Sequence, residues 1–293
     1  MNSHLRESTT DGHGLKPKKQ LRGGLSIRNV SKVYNSEGTA VAAVENCSIE
    51  IAPGELHVIV GPSGCGKTTL LNAIAGFHSI SSGEIYLDDE LLCGPGKPQA
   101  APGADRVVVF QNGALFPWKN VLDNITYGPV IQGRMTKEEA RDVARDKMVE
   151  SGLSGFETSY PGELSSGMAR RVEIVRALVN DPKVLLLDEP FRGMDDLTKS
   201  IMHESLLEIY DLNQVTFFLI THDVEEAVFL GSKVSVMTTR PGRIKESIDV
   251  DIPRPRDYRV LTSDDFRGLI GRVVDAVHDE AQRAFEAGER EMA

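Results

Sequence analysis

The sequence predicts an α/β fold with a mainly parallel core sheet, interrupted by a helical insertion. Three observations lead there. Short, almost wholly apolar runs such as Leu56–Val60 and Val184–Leu187 read as strands buried on both faces, with helices between them. The run Leu56–Val60 passes through a glycine-rich loop directly into a helix over Lys67–Ala75. From Gln111 to about Asn180 the chain changes to helices and loops before apolar strands return.

Residues 1–24 are charged, Gly-containing and aperiodic, which reads as a flexible leader. Its Lys16, Lys18 and Lys19 form a small cluster of the solvated kind rather than a binding arm. The folded part is expected from Leu25, with strands over Leu25–Val30 and Ala40–Ile51 and a turn at Pro53-Gly54. After the helix at Lys67–Ala75, Gly83–Leu87 reads as a strand, Pro95–Ala104 as a surface loop and Val107–Phe110 as a compact buried strand. Within the insertion, about 112–180, Thr136 and Glu139 form a capping box that opens a helix reaching Ser151. A second helix spans Met168–Val179 and stops before Pro182. Val184–Leu187, Val215–Ile220 and Lys233–Met237 follow as strands, and Arg243–Ile252 as one more. Residues 25–252 thus form the main domain and 253–293 a helical extension. In its Asp265–Phe285 helix, Phe266, Leu269, Ile270, Val273, Val274 and Val277 mark one apolar face, which packs on the domain.

A chain of 293 residues with 40% apolar and 26% charged residues can bury a substantial core. A net charge of -10 opposes a broad nucleic-acid footprint, so no nucleic-acid partner is expected. Cys47, Cys65 and Cys93 are odd in number and lack metal-ligand spacing, which fits a reducing, cytosolic setting. No apolar run approaches a membrane helix in length, and the start lacks a hydrophobic signal core. A role at a membrane therefore requires docking onto another protein or the surface.

The stretch Gly61, Pro62, Ser63, Gly64, Cys65, Gly66, Lys67, Thr68 fits the full phosphate-loop pattern. Its glycines let several N–H groups face one anion, and the helix that follows presents its positive end to the same phosphates. Lys67 is expected on the terminal phosphates, Thr68 on Mg²⁺, and Thr69 as a further phosphate contact. The pattern arises by chance in roughly one chain of this length in a hundred, and the strand and helix that flank it weigh further against accident. Cys65 reads as a small filler, and its alkylation is expected to obstruct phosphate binding, with ATP protecting it.

Asp188 and Glu189 sit at the end of another apolar strand, where open α/β sheets bind ligands. Asp188 is the candidate Mg²⁺ partner and Glu189 the candidate general base on the attacking water. His222 ends the strand through Ile220 and is placed to touch phosphate or orient that water. Asp223 reads as a helix cap with Glu226 completing a box. Gln111 closes the strand Val107–Phe110. Its carboxamide is either a Mg²⁺ or water contact or an ordinary polar loop start. Tyr34 precedes a Gly-containing turn and is either a platform for adenine or a packing residue.

In order and spacing, these motifs resemble the ATP-binding-cassette ATPases of ABC transporters from about Leu25 to Arg243. Gly61–Thr68 matches Walker A, Val184–Glu189 matches Walker B, Gln111 the Q-loop, His222 the switch histidine and Tyr34 the aromatic A-loop. Leu164-Ser-Ser-Gly-Met168 matches the signature motif and Arg192-Gly-Met-Asp195 the D-loop. The resemblance implies a phosphate-loop NTPase of ABC type, with an antiparallel β subdomain and an inserted helical subdomain. It also implies a head-to-tail dimer in which Ser165, the N–H groups near Gly167, and Asp195 serve ATP held by a second copy or paired homologue. Ser166 departs from the usual Leu-Ser-Gly-Gly signature. Met168-Ala-Arg-Arg171 and Glu173 replace a basic, glutamine-rich run, and Arg192-Gly-Met replaces the commoner Gly/Ser-Ala-Leu.

The runs Gly103-Ala-Asp-Arg-Val-Val-Val-Phe-Gln111 and Ala114-Leu-Phe-Pro-Trp118 resemble the nitrate, sulfonate and taurine importer ATPases, as do Asn124-Ile125, Thr221–Phe229 and Arg240–Ile244. This subgroup implies membrane permease subunits as partners, an extracytoplasmic solute-binding protein acting indirectly, and a peripheral position on the cytoplasmic face of the membrane. Leu115–Trp118 is then a permease-docking patch rather than core. Two rivals stand beside this reading. One is a non-transport cassette, although no coiled-coil insertion or duplicated cassette is present. The other is a low-activity or regulatory partner in a heterodimer, which rests on Ser166.

Overall fold

The computed structural model describes residues 21–36 and 39–286. In chain order the strands are β1 (Leu25–Ser36), β2 (Thr39–Ile51), β3 (Leu56–Val60), β4 (Ser82–Leu87), β5 (Glu90–Cys93), β6 (Arg106–Val109), β7 (Val184–Asp188), β8 (Thr216–Thr221), β9 (Lys233–Met237) and β10 (Ile244–Asp249). The helices are α1 (Lys67–Ala75), α2 (Val121–Ile131), α3 (Lys137–Glu150), α4 (Ser166–Leu178), α5 (Asp196–Asn213), α6 (Val224–Leu230) and α7 (Asp264–Glu286).

The central sheet has the order β10-β9-β3-β8-β7-β6, and every pair except β10–β9 is parallel. Its strands read as unbroken apolar runs because both faces are covered. Leu56, Val58, Val60, Leu185, Leu187, Phe217 and Leu219 join one core with α4 to α7. Ile59, Val184, Leu186, Phe218 and Ile220 point the other way, to α1 and the second sheet. That second sheet is antiparallel, in the order β2-β1-β4-β5. A third core holds the insertion together, built on Val121 and Ile125 of α2, Ala144 and Met148 of α3, and Val172 and Val175 of α4.

The α/β class with its antiparallel sheet and inserted helices matches the expectation, and the Thr136–Glu139 capping box is present. Several details differ. β1 continues past Val30 to Ser36, because register shifts at Ile27/Val30, Val30/Lys32 and Lys32/Val33 break the alternation that a sequence shows. β5 has four residues, too few to display a period. α2 was not separable by sequence since Pro129 lies inside it; its start is fixed by Asn120, whose side chain accepts from the Asp123 N–H.

Asp223 does cap α6 by accepting from the Glu226 N–H at 3.1 Å, but Glu226 does not complete a box. The Asp223 N–H donates to Thr221 Oγ1, and the buried Glu226 carboxylate faces His203 Nε2 at 3.3 Å instead. On α7, Phe266 and Val273 are buried and Leu269, Ile270 and Val277 are partly so, whereas Val274 is 43% exposed. The helical turn of about 100° per residue carries Val274 off the face that Val273 occupies.

Of the expected leader, residues 1–20 lie outside the described range, Lys16, Lys18 and Lys19 among them. Residues 21–24 are held: the Gly23 and Gly24 N–H groups donate to Asp88 Oδ1 at 2.7 and 2.9 Å. The segment before α7 is also anchored. Arg256, 5% exposed, donates to the carbonyls of Val228, Phe229, Gly231, Val250 and Ile252. Burial chiefly pulls its pKa down to about 10.

Candidate active site

The sheet order brings the chemistry together. Following β3 is the loop Gly61–Gly66, following β8 is His222, following β7 is Glu189, and following β6 are Phe110 and Gln111. All four strands are parallel neighbours, so these residues emerge at one edge.

Gly66 caps α1 with φ 105, and a Cβ there would stand 2.6 Å from the Ala43 carbonyl of β2. Only glycine fits both the backbone angle and the close approach. Gly61 and Cys65 are buried, Pro62 is half-buried, and Ser63 and Gly64 are exposed at the loop tip. Lys67 is buried, with Nζ donating to the carbonyls of Gly61 at 2.7 Å and Pro62 at 2.9 Å. Arg240 Nη2 donates to the Gly64 carbonyl at 3.1 Å and buttresses the loop from outside. Thr69 is half-buried on α1, while Thr68 Oγ1 donates to Asp188 Oδ1 at 3.3 Å. Burial pushes the Asp188 carboxyl up, with Thr68 opposing in part.

Cys65 is 1% exposed and its thiol is pushed up by burial, with Lys67 opposing in part. A small buried filler is what its position allows, and alkylation there first requires the loop to open. A buried, protonated thiol is a poor nucleophile.

Glu189 adopts φ 41, and its N–H donates to the Ile220 carbonyl at 3.0 Å. A non-glycine residue in the left-handed region is strained, and such strain gathers at functional positions. Its side chain is 14% exposed and meets His222 Nδ1 at 3.2 Å and Arg192 Nη1 at 3.3 Å, both through Oε2. With its amide oxygen turned to the guanidinium, Gln111 accepts from Arg192 Nη1 at 2.7 Å. Gln111 is thus brought to the acidic group, but its side chain is engaged by an arginine rather than by Thr68 or Asp188.

Arg192 was noticed in the sequence only as a departure, and its contact with Glu189 was missed. The same holds for a clamp on α4. Arg170, Glu173 and Arg176 recur every three residues and face the segment 110–114. Arg170 donates to the carbonyls of Phe110 at 2.6 Å and Gln111 at 2.8 Å and pairs with Glu173 at 2.7 Å. Glu173 Oε1 accepts from the Ala114 N–H, and Arg176 donates to the Ala114 carbonyl at 2.8 Å. Burial pulls the pKa of Arg170 down, with the Glu173 charge opposing. The signal lay in the two charges, three apart, that replace a glutamine-rich run.

Ser165 is exposed and caps α4 by accepting from the Met168 N–H at 3.3 Å; Ser166 is also exposed. Gly167 is buried, and a Cβ there would press on Met202 and Thr198 of α5 at 3.3 and 3.4 Å. Asp195 caps α5 through the Thr198 N–H and hydroxyl. Among the described residues, no hydrogen bond or ion pair joins Ser165, Gly167 or Asp195 to the phosphate loop of the same chain. Tyr34 is 38% exposed on β1, with Lys32 Nζ 4.9 Å from its ring centre. It pairs in register with Val41, two residues before the Ala43 that abuts Gly66.

Beside β6 and α4 lies a groove of about 740 Å³ lined by Phe77, Phe110, Phe116, Tyr127 and Arg176 among others. Trp118, two residues beyond the groove-lining Phe116, is 71% exposed, which rules out a core role. The loop that carries it is pinned by the fully buried Asn124, which accepts from the Phe116 N–H and donates to the carbonyls of Phe116, Lys119 and Asn120. The ring centres of Phe116 and Trp118 are 5.6 Å apart and those of Phe116 and Tyr127 5.0 Å apart.

The family profile described as ABC transporter matches residues 44–192, just over half of the chain. The chain belongs to the ABC transporter ATP-binding family. This ABC ATPase is 44% identical over 223 residues to the taurine import ATP-binding protein TauB of Yersinia pestis, covering 76% of this chain and 84% of that one. It is 41% identical over 248 residues to the nitrate import ATP-binding protein NrtD of Synechocystis sp., covering 83% and 90%. Among solved structures, it is similar to the dimeric post-hydrolysis state of the ATP-binding cassette MJ0796 bound to ADP and Pi. That match has a TM-score of 0.65 and 28% identity and covers 78% of this chain and 100% of that one. The family and its ATPase neighbours establish an ATP-binding, ATP-hydrolysing protein whose hydrolysis is coupled to transport. No described helix is long and apolar enough to cross a membrane.

Proposed function

We propose that this ABC ATPase is the motor subunit of an importer for a small anionic solute of the nitrate, sulfonate or taurine type. The observation that carries the catalytic part is the meeting of Glu189 and His222 beside the phosphate loop. The importer assignment is supported by relatives named for taurine and nitrate import.

In this reading Gly61–Gly66 and Thr69 cradle the phosphates, Lys67 bonds the terminal ones, and Tyr34 stacks on the base. The oxygen donors Thr68 and Asp188, already 3.3 Å apart, suit a hard cation and would hold Mg²⁺, whereas the Gln111 amide oxygen is taken up by Arg192. Held by these residues, Mg²⁺ would supply positive charge beside the phosphates. Glu189 takes the proton of the attacking water as the new P–O bond forms and the bond to the β,γ-bridging oxygen breaks, leaving ADP and phosphate. His222 holds Glu189 from one side and meets the γ-phosphate from the other.

Ser165, Gly167 and Asp195, unlinked to their own phosphate loop, serve the ATP of a second copy or paired homologue, so that ATP closes a dimer and hydrolysis reopens it. Ser166 is exposed at that interface and leaves activity intact. Permease subunits dock over the aromatic end of this loop, Phe116 to Trp118, while Leu115 packs inward against the core of the inserted helices; docking holds the chain peripherally at the cytoplasmic face of the membrane. The solute-binding protein acts through the permease.

Gentle detergent extraction of the tagged chain, with mass spectrometry of its companions, tests the assignment. A multi-helix permease is the expected companion. Purely soluble companions, with other membrane complexes intact in the same extract, would refute it. In the recovered complex, Glu189→Gln should lower kcat at least about 100-fold while ATP binding persists.

A further inference from the structure

We infer that Arg192 is a positioning residue for hydrolysis, joining the Gln111 carboxamide and the Glu189 carboxylate into one hydrogen-bonded unit. The inference rests on the proposed role of Glu189 as base. Three features build the unit. Phe191 is 1% exposed and packs edge-on against the His203 ring at 4.9 Å, which anchors the turn after β7. The Arg192 N–H donates to the Glu189 carbonyl at 3.2 Å, closing a turn that brings the guanidinium back to the Glu189 side chain. From there Nη1 lies 3.3 Å from Glu189 Oε2, and Nη1 and Nε lie 2.7 and 3.3 Å from the Gln111 amide oxygen.

A guanidinium is suited to this place because its planar fork can satisfy two acceptors at once, whereas an ammonium is a single point charge. Gln111 and Glu189 follow adjacent parallel strands, but no other side-chain hydrogen bond among the described residues ties one to the other through a single group. The Gln111 carbonyl is separately fixed by Arg170, so Arg192 governs the part that remains free, its side chain. On Glu189, Arg192 and His222 both take Oε2, and Oε1 has no protein partner among the described residues. Orienting the carboxylate through one oxygen leaves the other directed outward, where a water proton can be received. The Arg192 side chain is 54% exposed, so it contributes little to holding the fold.

The test is steady-state ATP hydrolysis by the full chain with its co-purifying membrane subunits. Arg192→Ala should lower kcat about tenfold, leave KM for ATP within about twofold, and leave the melting temperature unchanged. Arg192→Lys should recover less than half of the lost kcat. Adding Arg192→Ala to Gln111→Ala should cost little beyond Gln111→Ala alone, because the two act as one unit. Unchanged or raised kcat in Arg192→Ala, an effect confined to KM, full rescue by lysine, or multiplicative losses in the double variant would each overturn the inference. A fully active Glu189→Gln would instead overturn the assignment of the base, whatever Arg192 does.

Discussion

Arg170 and Glu173 form a buried ion pair at the junction between the inserted helices and the segment that carries Gln111. Their side chains are 7% and 4% exposed and 2.7 Å apart. Replacing Arg170 by Met leaves the Glu173 carboxylate buried with one hydrogen-bond donor, the Ala114 N–H, and the Arg176 charge as its remaining counter-ion. Breaking one side of such a pair costs about 3–5 kcal/mol. At about 2–4 °C per kcal/mol for a domain of this order, the melting temperature should fall by roughly 6–20 °C. The double variant Arg170→Met/Glu173→Leu removes both charges, and such replacements are often neutral or stabilising. The freed carbonyls of Phe110 and Gln111 and the freed Ala114 N–H belong to residues that reach solvent, so water can serve them. The double variant should therefore recover most of the lost stability, yet it no longer holds the Gln111 backbone. Its kcat should stay about tenfold below wild type. Circular-dichroism melting beside ATPase assays separates the two effects. If the double variant melts as low as the single one, the orphaned backbone rather than the stranded charge sets the cost. If it regains wild-type kcat, the clamp does not position Gln111.

Trp118→Ala should abolish permease association while leaving fold and nucleotide binding intact. Trp118 is this chain's only tryptophan, so the emission lost between wild-type and Trp118→Phe complexes isolates it; that difference should lie to the blue of the free chain's spectrum, and an unshifted difference would remove the docking role. The three cysteines are free and buried, so a thiol reagent should titrate far fewer than three groups in the native chain and all of them in denaturant; rapid, ATP-protected labelling of Cys65 would show an open loop instead. Burial raises the Asp88 pKa, but Lys183 and the Gly23 and Gly24 N–H groups outweigh it, and the net value lies below the usual carboxylate range. Such a group stabilises the fold above its unfolded pKa of about 3.9 and loses that contribution as pH falls through its lower folded value. The melting advantage of wild type over Asp88→Asn should hold from neutral pH to about 5 and shrink below about 4; a gap that widens in acid would reverse the sign of the argument.

Where local structure depends on neighbours in the chain, the sequence was sufficient. Leu56–Val60 and Lys67–Ala75 were legible to the residue, because a run of apolar side chains, a glycine loop and a helix are local events. The phosphate-loop pattern, the acidic pair Asp188-Glu189 at the end of β7 and His222 stood out by motif and spacing, as did the α/β class. β1 beyond Val30 was hidden by its bulges and α2 by Pro129, because there the tertiary contacts override the local pattern. Glu226 shows the limit most plainly. Local spacing assigned it to a capping box, but α5 brings His203 within 3.3 Å, and that partner is 23 residues away.

Tertiary structure alone decided how the site is held. Arg192 reaches Gln111 only because β6 and β7 lie side by side, 81 residues apart in the chain at that point, and no spacing rule connects them. Arg170 finds the Phe110 and Gln111 carbonyls because α2 and α3 pack α4 against β6. Trp118 stays outside because the buried Asn124 pins its loop beside the groove. Sequence motifs name the candidate phosphate-loop groups, since the backbone they need is built within a few residues. The groups that aim them are joined through space, where distance along the chain carries no information about distance in the fold.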